Sequence, residues 1–372
     1  MSEAPVLEAV SRFLEREVRP HVRQLEADDT WPAQIVEKMR AMGLFGCIVR
    51  EEYGGLGLSA STYAQVIERI SEVWMSLSGI INSHLIMASL VQRAGTEEQR
   101  RAWLPRFASG ELRGGLALTE PDCGTDLRAI RTSARRDGDG YVIDGTKTWI
   151  SNGIHGHVVA LLVKTGAESL SCFICPKGPG FSPSRKLEKL GYKGIDSAEL
   201  VFAGYRAPAA NLVGGVEGKG LQQVLSGLEL GRINVAARGV GLANAALKES
   251  LAYAQLRKTF GKPIAQHQAI QLKLADMATR VQAARLLVEN AARAYDQGGR
   301  CDMEAGMAKL FASEAALENA TEAMRIHGAY GYSTEFNIER YYRDAPLLCI
   351  GEGTNEMQRI IIARQLVARN PA

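Results

Sequence analysis

The chain has 372 residues, and at roughly 150 residues per packed unit that length predicts two or three domains, with a core that needs no disulfide or metal staple. The 44 Lys and Arg against 41 Asp and Glu leave a formal charge of +3, so no polybasic surface marks nucleic acid or an anionic membrane as the main partner. Hydrophobic residues at 46% and charged residues at 23% are those of an ordinary globular chain, not of a disordered one or a bundle of spanning helices.

Residues 1–112 read as a helical domain. Val6, Val10, Leu14 and Val18 form one stripe, while Glu3, Glu8, Glu15 and Glu17 argue against an acid-poor transit peptide. An irregular insertion follows at 51–57, and Thr96 with Gln99 has the spacing of a capping box. Apolar runs read as broken by charge before the roughly 20 residues a membrane span needs, so no integral membrane association is expected. No basic segment followed by an apolar one opens the chain, so no secretory address is expected either. Cys47, Cys123, Cys172, Cys175, Cys301 and Cys349 are scattered among apolar neighbours. That is the pattern of reduced thiols, and the expected compartment is the cytoplasm.

Residues 113–217 change character. Short alternating segments at 141–145 and 146–150, with Asp137-Gly138-Asp139-Gly140 as a turn before them, predict a β domain. Cys172 and Cys175 lie in an apolar strand-like segment, where they would point to opposite faces as packing residues. From 218 to 372 the helical period returns. Ile270, Leu274, Met277, Val281, Ala284, Val288 and Ala291 mark one buried stripe, and Met303, Met307, Leu310, Leu317 and Met324 a second core face.

No G-x-G-x-x-G follows a strand to open a helix, so a Rossmann nicotinamide site is unsupported, and Gly214 to Gly220 lacks the spacing of a P-loop and reads as a linker. The six histidines have no metalloprotease spacing; His155 and His157 read as a solvated turn, and no metal site is expected. Arg257-Lys258-Thr259-Phe260-Gly261-Lys262 is either a local anion site or a charged helix end with a glycine cap. The turn from His327 to Tyr332 is either a helix terminator or a source of backbone N–H groups for an anion. Glu352 stands between Gly351 and Gly353, after the apolar 347–350. Beside an apolar pocket it would have a raised pKa and serve as a base; otherwise it is an acid at a helix N-terminus.

Four segments carry a resemblance: 116–126 (LALTEPDCGTD), 149–153 (WISNG), 257–262 (RKTFGK) and 351–354 (GEGT). In this order and at these separations they resemble the flavin-dependent acyl-CoA dehydrogenases, and the likeness runs from near the start to about residue 369. It implies a mainly α fold with a central β domain: an N-terminal helical domain, a β-barrel-like middle domain and a C-terminal four-helix bundle. It implies FAD, held by Leu116, Leu118, Thr119, Thr125, Trp149, Ser151, Thr354 and Glu356. Arg257, Phe260, Gln268, Arg325, Gly328 and Ala329 would complete the site, largely from a neighbouring subunit of a homotetramer or homodimer. Acyl-CoA would meet Thr125, Glu229, Arg232 and Gly353, with Glu229 standing where aspartate is frequent. The implied reaction is abstraction of the α proton by Glu352 with hydride loss from the β carbon, giving a trans-2-enoyl-CoA, and electrons then pass to an electron-transfer flavoprotein.

Some members of the family carry the base at the position of Gly231, where a glycine cannot serve. Gly351 replaces a frequent tyrosine, which suggests room for a branched or bulky acyl group. Leu77 falls where glutaryl-CoA dehydrogenases place a carboxylate-binding arginine, which speaks against a dicarboxylyl substrate. An acyl-CoA oxidase, a flavin monooxygenase of the same architecture and a catalytically silent acyl-CoA-binding protein stand as alternatives.

Overall fold

The computed structural model describes residues 4–371. Three short helices, α1 (Ala4–Phe13), α2 (Val22–Ala27) and α3 (Ala33–Ala41), precede the long α4 (Ala60–Ala94) and α5 (Glu97–Ala108). The first stripe behaves as expected: Val10, Leu14 and Val18 are buried, and the helix runs on through a π-helical turn at Leu14–Val18. Ser59 caps α4 by accepting from the Thr62 N–H, and α4 kinks at Trp74, whose indole N–H donates to the buried Glu26.

The apolar run in α4 is not interrupted by charge, contrary to the expectation above: no Asp, Glu, Lys or Arg occurs between Glu72 and Arg93. This one helix is long and apolar enough to cross a membrane, yet 94% of its most apolar window is buried inside the protein. Its hydropathy reflects burial on every side, which is what a central core helix requires.

The capping box that opens α5 is present, with Thr96 accepting from the Gln99 N–H and Gln99 accepting from the Thr96 N–H. The Gln99 amide also donates to the carbonyls of Ala210 and Leu212, so one side chain caps a helix and ties down the exit from the sheet.

The middle of the chain forms β1 (Gly114–Ala117), β2 (Ser133–Asp137), β3 (Gly140–Ser151), β4 (Val158–Lys164), β5 (Leu170–Pro176), β6 (Phe181–Lys186) and β7 (Ser197–Pro208). They make one curled sheet in the order β1-β4-β2-β3-β7-β6, with β5 added to β4. The two strands expected at 141–150 are a single strand, β3. Its register against β7 shifts between Ile143 and Gly145. Gly145 has φ of +146°, and a Cβ there would come within 2.5 Å of the Thr132 hydroxyl, so the strand bends at this glycine without ending. Cys172 and Cys175 are buried on β5 in two different core clusters, as expected of residues on opposite faces, and all six cysteines are free.

The C-terminal part holds α6 (Gly220–Leu256), a two-residue-strand hairpin β8 (Lys258–Thr259) and β9 (Lys262–Pro263), α7 (Gln268–Asp296), α8 (Asp302–His327), α9 (Ile338–Ile350) and α10 (Asn355–Arg369). The α7 stripe is buried from Met277 to Ala291 as read, with Ile270 and Leu274 packed at its edge. On α8 the expected Met and Leu face is only half buried. The core face is instead Ala305, Ala308, Ala312, Ala316, Ala320 and Ala323. α8 lies against both α6 and α7, and small side chains let the helices approach closely where methionines would not fit.

Candidate active site

α9 ends where the Gly351 N–H bonds the Leu347 carbonyl at 2.8 Å, and α10 begins at Thr354, whose hydroxyl accepts from the Met357 N–H. Glu352 lies between them at φ +55°, with Gly353 at +88°. This left-handed turn aims the Glu352 side chain away from the α10 N-terminus and into the space between α4 and α6. Asn82 of α4 donates to one carboxylate oxygen at 2.5 Å, and Arg238 Nη2 of α6 stands 4.0 Å from that oxygen. The other oxygen, Oε2, is buried without a partner. It lies where a Cβ on Gly231 would come within 2.1 Å.

Burial raises the Glu352 pKa, while the charge of Arg238, the Asn82 hydrogen bond and the more distant Lys309 and Arg232 oppose that rise. The result is a carboxylate that stays ionisable but holds a proton more readily than an exposed one. Lys309 on α8 holds the loop in place. Its ammonium donates to the carbonyls of Cys349 and Gly353 and to Asn355 Oδ1, at 3.2, 2.9 and 2.8 Å. Burial pushes its pKa down to about 8.

Adjacent residues of α4 connect the base to the sheet. Asn82 touches Glu352, and the next residue, Ser83, packs so closely on β1 that a Cβ on Gly115 would come within 2.2 Å of its hydroxyl. Asn152, just past β3, donates to the carbonyls of Ile80 on α4 and Gly114 on β1 and locks the same junction.

The loop after β1 carries Leu118 and Thr119 and is pinned from below. Lys147 of β3, with its side chain fully buried, donates to the Leu118 carbonyl at 2.9 Å and to Glu120 at 2.8 Å, and Glu120 accepts the N–H groups of Arg131 and Thr132. Removing one partner of such a buried pair costs about 3–5 kcal/mol. Above this support lies a cleft of about 480 Å³ lined by Thr119, Pro121, Gly124, Thr148, Trp149 and Arg185, among others. Trp149 holds φ +60° and is 58% exposed.

The sequence-expected residues thus fall into three groups. Leu116, Leu118, Thr119, Thr125, Trp149 and Ser151 share the sheet end near α4, and Gly353, Thr354 and Glu356 follow the base. Arg257, Phe260, Gln268, Arg325, Gly328 and Ala329 gather at the far end of the bundle, where Tyr253 stacks on His327 at 4.2 Å. At 1.5 Å per residue Arg257 lies about 40 Å along α6 from Gly231, so one copy of the chain does not bring this last group to the base. Arg257 closes α6, its N–H bonding the Tyr253 carbonyl, but no glycine caps that helix: Gly261 sits with Phe260 in the turn of the β8–β9 hairpin, where Phe260 is 96% exposed. Glu229 and Arg232 are both buried near the base. Burial raises the Glu229 pKa, and Arg232 is paired with Asp302 at 3.2 Å while its Nε has no partner.

His155 and His157 are accounted for structurally. His155 pairs with Asp196 at 2.9 Å and stacks on Trp31, and His157 accepts from the Arg113 N–H. Among the described residues no cluster of three potential ligands could hold a metal ion. Asn82, Arg238, Lys309 and Lys147 escaped the sequence reading, and Glu120, although inside the 116–126 segment, was given no role there. They are isolated polar residues in helices, a strand and a loop, and only their contacts give them meaning.

A curled sheet thus lies between two helical parts, and a desolvated carboxylate faces a glycine of α6, an arrangement suited to taking up a proton. Comparison with known proteins shows the chemistry this scaffold serves. The acyl-CoA dehydrogenase N-terminal domain matches residues 2–111, the acyl-CoA dehydrogenase middle domain 115–205 and the acyl-CoA dehydrogenase C-terminal domain 218–367. An acyl-CoA dehydrogenase of Bacillus subtilis is 40% identical over 364 residues, 96% of each chain. The (2S)-methylsuccinyl-CoA dehydrogenase of Cereibacter sphaeroides is 40% identical over 371 residues, 96% of this chain and 68% of that one. The solved butyryl-CoA dehydrogenase of Megasphaera elsdenii superposes with a TM-score of 0.96 at 32% identity, covering 98% of both chains. The chain belongs to the acyl-CoA dehydrogenase family. It is an oxidoreductase acting on CH–CH donors, and its cofactor is FAD.

The residues at the sheet end fit such a cofactor. Trp149 offers an exposed aromatic face to a planar ring system. Among the described residues the hydroxyls of Thr119, Thr125 and Ser151 find no hydrogen-bond partner, and the loop that carries Thr119 is held by a buried ion pair.

Proposed function

We propose that this protein removes the α proton and β hydride of an acyl-CoA thioester with Glu352 as the base, yielding a trans-2-enoyl-CoA. The observation that carries the reading is the Glu352 carboxylate itself: desolvated, aimed between α4 and α6, with one oxygen fixed by Asn82 and the other unpartnered. A carboxylate so placed is a better acceptor for a weakly acidic carbon-bound proton than one in water. Among the described residues the backbone N–H of Glu352 has no hydrogen-bond partner, so it can bind the thioester carbonyl, where negative charge develops as the proton leaves.

FAD would be held by Leu116, Leu118, Thr119, Thr125, Trp149 and Ser151, with Thr354 and Glu356 beyond the base. When bound, it supplies the acceptor for the β hydride. Arg257, Phe260, Gln268, Arg325, Gly328 and Ala329 would reach it from a neighbouring copy, which makes the active form a homodimer or homotetramer. Thr125, Glu229, Arg232 and Gly353 would hold the acyl-CoA. Three units, 1–112, 113–217 and 218–372, share these tasks. We place the protein in the cytoplasm, in fatty acid metabolism, with an electron-transfer flavoprotein as its electron acceptor.

The test is the visible spectrum of the purified protein, recorded without oxygen, before and after a panel of acyl-CoA thioesters. Bleaching of a yellow flavin band by one subset is expected. Glu352→Gln should retain the flavin and slow its reduction by roughly 100- to 10,000-fold. Full activity in that variant would place the base elsewhere, and rapid peroxide formation under air would favour the oxidase.

A further inference from the structure

The site holds a second ionised group that proton abstraction does not use. Arg238 sits two turns beyond Gly231 on α6 and is 4% exposed. Its guanidinium reaches back until Nη2 is 4.0 Å from Glu352 Oε1, the direction in which helical side chains lean. Its hydrogen bonds go to neutral partners: Nε to Asn234 Oδ1 at 2.6 Å and Nη1 to the Tyr192 hydroxyl at 3.0 Å. Asn234 is held in turn by the Tyr63 hydroxyl at 2.7 Å, so the guanidinium is fixed in a polar nest. Among the described residues Nη2 has no hydrogen-bond partner, and Glu352 is the one carboxylate within 4.0 Å of Arg238.

A buried guanidinium requires a counter-charge. Glu352 supplies one only while it is ionised, and accepting a proton from the substrate makes it neutral. The charge on Arg238 would then be left bare at the moment of reaction. A plain hydrocarbon tail would make this worse, since it would cover Nη2 and Asn82 with groups that bond to neither.

We propose that the substrate of this protein carries its own carboxylate on the acyl group, as a short dicarboxylic acid bound as its CoA monothioester, and that Arg238 receives it. The inference rests on the dehydrogenase reading above and narrows it. Leu77, which argued against such a substrate, is fully buried in α4; the cation is provided by α6. The anchored carboxylate takes no part in bond making, so the chemistry at the α and β carbons is unchanged. It replaces the charge that Glu352 loses and fixes those carbons beside the base.

The comparison to make is succinyl-CoA against butyryl-CoA, which share a chain length and differ by carboxylate against methyl. Flavin reduction without oxygen and the kcat/KM of each would be measured for the natural protein, Arg238→Lys and Arg238→Met. Binding of each thioester to Glu352→Gln would be measured by calorimetry. The natural protein should prefer succinyl-CoA by on the order of 100-fold, Arg238→Lys should keep the sign of that preference, and Arg238→Met should abolish or reverse it. If Arg238 only tunes the base, Arg238→Met will change both substrates by one factor and leave their ratio alone, which overturns the proposal. A preference of the natural protein for butyryl-CoA overturns it too, whether or not the variants fold, and leaves the dehydrogenase reading intact. If no thioester in the wider panel bleaches the flavin, that reading falls as well.

Discussion

Glu352 owes its position to three glycines. Gly351 and Gly353 flank a left-handed turn, and Gly231 on a distant helix leaves the volume that the carboxylate fills. The flanking pair was visible in the sequence, which is why Glu352 stood out among the acids. Its partner Asn82 was not, because an asparagine inside an apolar helix has no local signature. At Gly351 a Cβ would make one tight contact, 3.3 Å from the Leu347 carbonyl, and an ordinary one, 3.9 Å from the Leu347 side chain. The substitution Gly351→Tyr requires a shift of a few tenths of an ångström at Leu347 and should narrow the site beside the reacting carbons. We expect it to lower kcat/KM for α- or β-branched thioesters about tenfold relative to straight ones. Unchanged discrimination between the two would show that this space does not face the acyl group.

Helix α9 links the base to the interior at a second titrating group. Asp344, 1% exposed, accepts the Tyr192 N–H at 2.5 Å close to Glu26, and burial with the charge of Glu26 pushes its carboxyl up to about 7. In the unfolded chain the same group releases its proton near 4. Between about pH 4 and 7 the folded protein therefore holds a proton that the unfolded one has lost, and stability falls as pH rises through that window. Asp344→Asn keeps the acceptor and carries no titrating proton. Its Tm should decline less than that of the natural protein between about pH 5 and 7, and equal declines would show that Asp344 does not titrate there. Patterning exposed the α7 stripe because Met, Val and Ile recur at helical spacing. It mistook the face of α8 because alanine carries too little hydrophobicity to mark a face, although alanine is what a helix packed on two neighbours needs.

Across the whole molecule, the residues proposed to hold FAD occupy two sites that a single chain keeps apart, the sheet end and the far end of the bundle. Phe260, almost wholly exposed on its hairpin, fits an element that is completed by another copy. Arg257→Ala should then lower the flavin retained on purification several-fold, while leaving the Tm of the flavin-free protein within about 2 °C of the natural one, as expected of an exposed substitution. Flavin content that stays full in this variant would remove Arg257 from the cofactor site. Assembly and flavin content should also fall together on dilution, which light scattering and absorbance would follow in parallel.

The amino-acid sequence alone determined the family, the order helices, sheet, helices, the cofactor and the candidate base, because each is written in contiguous motifs whose chemistry is local. Tertiary structure decided what surrounds that base. Asn82, Arg238 and Lys309 come from three helices far apart in the chain, and Gly231 matters only for the atom it does not have. A buried charge takes its meaning from what lies within a few ångströms of it, because Coulomb and desolvation energies depend on distance in space and not on separation along the chain.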